Sequence, residues 1–223
     1  MFKKIFRTTC MLSVLLSATF SVNASMISVG GVELNALDLN GTHSSFNEFY
    51  GFTLSDYSSH TGYETADVAT VMFAELNNEY AMFLMISGPG GAAGAVSGDV
   101  SGSEGAISFI DDPGGRDPVS GSSISWTYAA NKTDGLIFSG ITSDVWTIDV
   151  NLTKVSGGFT GVNFLTFDNI GNDTKALSLG LTADAVDFSI NSIQSTAVAA
   201  VNAPATFGLF FIALAGFLRL RRK

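Results

Sequence analysis

Cysteine, proline and positive charge are all scarce in this chain of 223 residues. Its one cysteine is Cys10, which lies in an N-terminal segment that we expect to be removed. The mature protein can therefore form no disulfide, thiolate metal site or cysteine nucleophile. A domain without disulfides must be held together by its own hydrophobic core, and about 180 residues are enough for that.

Basic residues are concentrated at the two ends of the chain. Between residues 25 and 206 there are four basic residues against all twenty acidic ones, which gives this stretch a net charge of −16. Such a surface repels nucleic acid and anionic lipid headgroups, so we expect no nucleic-acid binding. The acidity favours solubility and contact with divalent cations.

The first 24 residues have the three parts of a secretory signal peptide. The cationic segment MFKKIFR precedes an apolar stretch of about 11 residues, and small residues follow in SVNAS. We predict cleavage between Ala24 and Ser25 by signal peptidase. The alternative is an uncleaved anchor, for which the apolar stretch is well short of the ~20 residues that a span needs.

The C-terminal residues predict a transmembrane helix at positions 204–220, which is 17 residues and the lower limit for a span. The apolar residues from Phe207 to Leu218 favour insertion by roughly 2 to 5 kcal/mol. Four cations follow the apolar run in segment 219–223, namely Arg219, Arg221, Arg222 and Lys223. These cations should remain cytoplasmic, which leaves the acidic domain outside. The alternative, a packed amphipathic helix, needs a polar face that FGLFFIALAGFL lacks.

The tail as a whole, residues 201–223, resembles the PEP-CTERM sorting signal of Gram-negative bacteria that make extracellular polysaccharide. That signal has a motif of the type Val-Pro-Glu-Pro-Ser-Thr, then a transmembrane helix, then an Arg-rich end. The present motif lacks the Glu and looks like the Val-Asn-Ala-Pro-Ala-Thr variant, formed by Val201, Asn202, Ala203, Pro204, Ala205 and Thr206. Pro204 also suits the first turn of a helix, where no hydrogen bond is lost.

The resemblance implies export through the Sec translocon, retention in the inner membrane by the C-terminal helix, and recognition by an exosortase. The protein would be a substrate of that sorting enzyme and no enzyme itself. Its setting would be the cell surface or the extracellular polysaccharide matrix. The motif is also known as an ice-binding protein C-terminal domain, but the chain has no surface of regularly spaced Thr to support that activity.

Residues 25–195 predict an all-β domain, followed by a linker at 196–200. Short apolar stretches alternate with Gly, Ser, Asn and Asp clusters, and proline is limited to Pro89, Pro113 and Pro118. In VWTIDVNLTKV every second residue is apolar, which is the pattern of a strand with one buried face. Other short runs, YGFTL among them, have the same character. The spacing suggests an antiparallel β-sandwich or jelly roll.

Two segments are open to more than one interpretation. VATVMFAELNNEYAMFLMI could form a helix, but Asn77 and Asn78 suit a hairpin turn between two strands, which we favour. SGPGGAAGAVSGDVSGSEG places Gly88, Gly90 and Ala93 in the dinucleotide-binding pattern. A helix could hardly follow in so much Gly and Ser, so we interpret this segment as a flexible surface loop.

Two kinds of binding site are conceivable in the exported domain. The aromatic segment FNEFYGFTLSDYSSHTGYE could bind a sugar through Tyr57 or Tyr63, with carboxylates as acceptors. The alternative is a strand with Tyr50, Phe52 and Leu54 as core positions. Two acidic loops offer the oxygen ligands that Ca²⁺ prefers. Their carboxylates are Asp111, Asp112, Asp117, Asp168 and Asp173. The alternative is that both loops are ordinary turns.

Catalysis has little support in the sequence. The two histidines, His43 and His60, lie in a Ser-rich region, and there is no G-x-S-x-G motif for a Ser-His-Asp site. We therefore expect no enzyme and no resident cofactor. The function expected is that of an exported, sorted surface protein, with a carbohydrate- or calcium-binding adhesin-like module as the first alternative and a secreted hydrolase as the second.

Overall fold

The chain forms two β-sheets in the computed structural model, which describes residues 26–55, 57–111, 119–167, 174–178 and 186–193. These residues belong to one compact unit spanning 25–194. The predicted signal peptide, linker, sorting motif and C-terminal helix lie outside the described residues. Within the described ranges, no helix has the length and apolar character needed to cross a membrane.

The first sheet, sheet A, has seven strands in the order β2-β1-β14-β11-β6-β9-β8. The first and last described strands of the chain, β1 and β14, are therefore neighbours in this sheet. In chain order its strands are β1 (Met26–Val29), β2 (Val32–Leu34), β6 (Gly94–Gly102), β8 (Val119–Ser120), β9 (Ser123–Tyr128), β11 (Thr147–Val155) and β14 (Val186–Ile193).

The second sheet, sheet B, also has seven strands, in the order β13-β12-β4-β5-β10-β7 with β3 paired to β4. The all-β prediction is confirmed. Most neighbours are antiparallel as predicted, but β12 and β3 both run parallel to β4. In chain order the strands are β3 (Leu37–Asp38), β4 (Val68–Leu76), β5 (Glu79–Ile86), β7 (Ala106–Ile110), β10 (Asp134–Ile141), β12 (Gly161–Phe167) and β13 (Thr174–Ser178).

The main hydrophobic core contains buried side chains from both sheets. In β11 the alternation is as predicted, with Ile148, Val150 and Leu152 buried and the residues between Ile148 and Leu152 exposed. Trp146, just before this strand, stacks on Phe73 of β4 with 5.5 Å between ring centroids. Burial of large side chains of this kind contributes roughly 1.5 to 3 kcal/mol each and is the main stabilising term.

The β4–β5 hairpin is confirmed, with Asn77 and Asn78 at its turn. Their φ angles of 54° and 64° are left-handed, which Asn tolerates better than most residues. Both strands are buried on both faces, because a second hydrophobic cluster covers the outer side of sheet B. This explains why their sequence is continuously apolar and resembles that of a buried helix.

A short helix, α1 (Phe46–Tyr50), covers the outer side of sheet B. Ser45 is its N-cap and accepts a hydrogen bond from the Glu48 amide, and Gly51 ends it in a left-handed conformation. The expected strand with Tyr50, Phe52 and Leu54 as core positions was wrong. Tyr50 is buried on the helix, whereas Leu54 is 71% exposed.

The glycine-rich segment is not a flexible loop, as was expected, because Gly94–Gly102 forms strand β6 inside sheet A. Glycine allows a close approach of neighbouring strands here. A Cβ atom on Gly98 would lie 2.1 Å from the Asn151 carbonyl oxygen and 2.8 Å from the Leu152 Cα. The register between β6 and β11 shifts just beyond Leu152, so Gly98 lies beside a bulge.

Replacing Gly98 with Ala should destabilise the domain by about 3 kcal/mol, because the added methyl group meets backbone atoms that cannot rotate away. The matched control is Ser97→Ala in the same strand, whose hydroxyl has only a long 3.4 Å contact with Ser125. The control should change stability by less than about 0.5 kcal/mol. Urea unfolding of residues 25–200 measures both, and equal stability of the two variants would contradict this account of β6.

Candidate functional site

Three loops cross from one sheet to the other at the same end of the domain, which we call the loop end. They are residues 87–93 between β5 and β6, residues 129–133 between β9 and β10, and residues 156–160 between β11 and β12. Loops at one end of paired sheets are a common place for binding residues, because the sheets position them.

Asp67 connects two of these loops to the start of β4. Its carboxylate accepts a hydrogen bond from the Ala92 amide at 2.7 Å, and its carbonyl accepts from the Thr160 amide at 2.7 Å. In the third loop, Asn131 accepts from the Gly90 amide at 3.1 Å and donates its own amide to the Gly91 carbonyl. The loops at this end are therefore held to each other by hydrogen bonds.

The glycine-rich pattern at Gly88, Gly90 and Ala93 lies within loop 87–93. A dinucleotide site needs a helix directly after this pattern, so that the helix N-terminus meets the pyrophosphate. Here strand β6 follows. A Cβ on Gly91 would lie 2.2 Å from the Ser87 hydroxyl, so the turn is tight around backbone and small side chains.

A buried polar cluster lies beneath the loop end. The Tyr50 hydroxyl donates a hydrogen bond to the Asp111 carboxylate at 3.0 Å, and both side chains are completely buried. Burial, followed by the nearby charge of Asp111, raises the pKa of Tyr50 well above its usual value. Asp134, which is 2% exposed, adds a further negative charge nearby.

This cluster includes one of the predicted calcium ligands, Asp111. The other four, Asp112, Asp117, Asp168 and Asp173, lie outside the described residues. Among the residues that the structure describes, no group of three or more His, Cys, Asp or Glu side chains is placed to hold a metal ion. Calcium binding stays a prediction.

The two predicted sugar-binding tyrosines have different surroundings. Tyr63 is half-buried and packs against Phe167 at 5.5 Å and Phe49 at 6.4 Å between ring centroids. It belongs to the hydrophobic cluster that covers sheet B. Tyr57 is 45% exposed and has a left-handed φ of 53°, which is rare for a bulky residue. Of the two rings, Tyr57 is therefore the exposed one, whereas Tyr63 packs on the hydrophobic cluster.

The carboxylates of the aromatic segment are engaged in local structure. Glu48 accepts from the amide and hydroxyl of Ser44, both at 2.7 Å, next to the start of α1. Glu64 accepts from the Ser59 hydroxyl, from both donors of Thr61 and from the Gly62 amide. Burial raises the pKa of Glu64, but these hydrogen bonds outweigh it and the net pKa is lowered.

The two histidines make local contacts. His43 packs edge-on against Phe49 at 5.3 Å, and its Nδ1 lies 3.1 Å from the Thr42 hydroxyl. His60 places Nδ1 3.0 Å from the Gly51 carbonyl oxygen and donates its amide to Tyr50. These contacts hold the chain around α1, and the hydrolase alternative gains no support from them.

Sequence reasoning missed Asp67 and Asn131, the residues that organise the loop end. Their hydrogen-bond partners Ala92 and Gly90 lie 25 and 41 residues away along the chain. A single Asp or Asn before a strand is a common turn signal. Its local sequence does not predict a hydrogen-bond partner so far away along the chain.

Replacing Glu64 with Gln should destabilise the domain by about 1 kcal/mol at pH 7, because a neutral amide is a weaker acceptor for four donors. The folded-state pKa is lowered, so the carboxylate's contribution is present above its ordinary value of 4.5 and is lost as the pH falls below it. The difference between wild type and variant should therefore shrink in acid. Melting temperatures of the wild type and the variant, measured from neutral to acidic pH, test this. Glu33→Gln on the exposed strand β2 is the control. A stability difference between wild type and variant that does not change with pH would contradict this expectation.

Comparison with known proteins finds no matching family model, and no curated protein sequence or solved structure matches the chain significantly.

Proposed function

We propose that this protein is an exported, non-enzymatic β-sandwich protein that is held in the inner membrane by its C-terminal helix. An exosortase-type enzyme then recognises the tail and releases the domain to the cell surface or the polysaccharide matrix. Export uses the signal peptide, the Sec translocon and signal peptidase. The domain itself is the cargo of this route.

The observation that carries the proposal is the order of features in residues 201–223. A motif centred on Pro204 precedes an uncharged apolar run, and the four cations lie beyond that run. One Arg at the bilayer centre would oppose insertion by about 2.5 to 3.5 kcal/mol. Because the four cations lie beyond the apolar run, they do not oppose its insertion. The signal peptide and the cations give the same orientation, with the acidic domain outside.

The described structure is compatible with a cargo domain. The described strands lie between Met26 and Ile193, within the compact unit of residues 25–194. We expect this unit to remain folded when either the leader or the tail is removed. A cargo that must survive two cuts needs this property.

Mass spectrometry of the mature C-terminus, purified from the native host, tests sorting directly. We expect loss of the residues after about Thr206. The matched control is a variant in which the cations of segment 219–223 are replaced by Ser, which should impair retention and correct processing. An intact Lys223 on wild-type protein in the membrane fraction would refute processing and leave a permanent anchor.

The second candidate function is carbohydrate binding at Tyr57. What favours it is the exposed ring on a backbone with φ of 53°, since such a conformation costs roughly 1 to 3 kcal/mol and is often found at functional sites. An exposed aromatic ring can stack on the apolar face of a sugar. Calcium binding has no comparable observation among the described residues.

Tyr57→Ala should weaken binding on a glycan array without lowering the melting temperature, because Tyr57 belongs to neither of the two hydrophobic clusters. Leu54→Ala, in the same turn and 71% exposed, controls for a general surface change and should leave glycan binding unaltered. Tyr63→Ala should lower the melting temperature, since Tyr63 packs on Phe167. Unchanged glycan binding by the Tyr57 variant would eliminate this candidate.

A further inference from the structure

The chain enters and leaves the described domain at one end of sheet A. Strands β1 and β14 are antiparallel neighbours, and the Cα atoms of Met26 and Ile193 are partners in their register. Residue 25, after the predicted signal cleavage, and residue 194, which leads to the tail, therefore attach side by side. We call this the terminal end.

Two further loops form the terminal end. Trp146, just before β11, exchanges two hydrogen bonds with Ser192. The Trp146 N–H donates to the Ser192 hydroxyl at 2.9 Å, and the Ser192 N–H donates to the Trp146 carbonyl at 3.0 Å. In the loop before β7, Glu104 accepts from the Thr142 amide at 3.0 Å and the Ser143 amide at 3.0 Å. Val145, between these contacts, is 66% exposed.

The Leu54–Tyr57 turn lies at the opposite, loop end. Thr53 and Ser58 close this turn with a β-bridge, and the Ser58 hydroxyl accepts from the Thr133 amide at 3.0 Å. Thr133 belongs to loop 129–133. Strand β6 runs nine residues from the loop end to the terminal end, a distance of about 30 Å.

We infer that the terminal end is the part of the domain held nearer the lipid surface, and that the loop end lies on average farther from it. This rests on the proposed function, because it requires the C-terminal helix to lie in the membrane. Ten residues, 194–203, connect β14 to the predicted helix and can span at most roughly 35 Å.

The shared attachment point makes the orientation independent of processing. Before the signal peptide is removed, both membrane segments attach at the terminal end, and afterwards the tail alone attaches there. The loop end then lies farther from the headgroups by up to the length of β6. Leu54 and Tyr57 are thereby presented to molecules outside the membrane.

Energy transfer to labelled lipids tests the orientation on the full chain. In a Cys10→Ser background the protein has no other cysteine, so Val145→Cys and Leu54→Cys each accept a single donor dye. The two sites are matched, being 66% and 71% exposed. The protein is reconstituted into phosphatidylcholine vesicles that contain lipids with an acceptor dye on the headgroup. Transfer from position 145 should exceed that from position 54 by about twofold or more, because the ends are about 30 Å apart.

Flotation of the same vesicles separates the two possible failures. Protein that floats with the vesicles but shows equal transfer from both positions, or greater transfer from position 54, overturns the orientation and leaves the membrane anchor standing. Protein that does not float overturns the anchor and the orientation together. Single substitutions at these exposed positions should not prevent folding, and equal melting temperatures of the two labelled variants in detergent check this.

Discussion

Sheet A depends on its last strand. β14 lies between β1 and β11, with Val186 and Ile190 fully buried in the shared core. In the described pairings, β1 and β2 reach the rest of the sheet only through β14. The first described strands are thus held in place by the last one, and sheet A is complete only when the whole of 26–193 is present.

Sheet B differs from sheet A in that its central strands are buried on both faces. The inner face packs on sheet A, and α1 with the following loop covers the outer face. The capping contacts of Ser45 and the hydrogen bonds to Glu64 fix that cover. At the loop end, Asp67 and Asn131 hold the crossing loops together. A domain without disulfides is stabilised in this way by burial and by buried or local hydrogen bonds.

Sequence patterns predicted the strands whose polar and apolar residues alternate, such as β11, and the turn at Asn77 and Asn78. They failed where packing overrides local preference. Gly94–Gly102 has a loop-like composition but pairs with β9 and β11 as strand β6. Glycine is required at residue 98 because the close approach of β11 leaves no space for a Cβ there. The segment at Tyr50 alternates like a strand but forms a capped helix. At the candidate site, the roles of Tyr63 and Asp67 depend on contacts with distant residues, which no local pattern encodes.

Native-state hydrogen exchange of the mature protein tests most directly whether β14 closes the domain. The amides of Phe188 and Ile190 in β14 should exchange within about tenfold of the rates in the doubly buried β4–β5 hairpin, because all of them open only by global unfolding. Exchange of β14 and β1 that is faster by several orders of magnitude would show that the terminal strands open separately. That result would contradict a domain completed and stabilised by its own two ends.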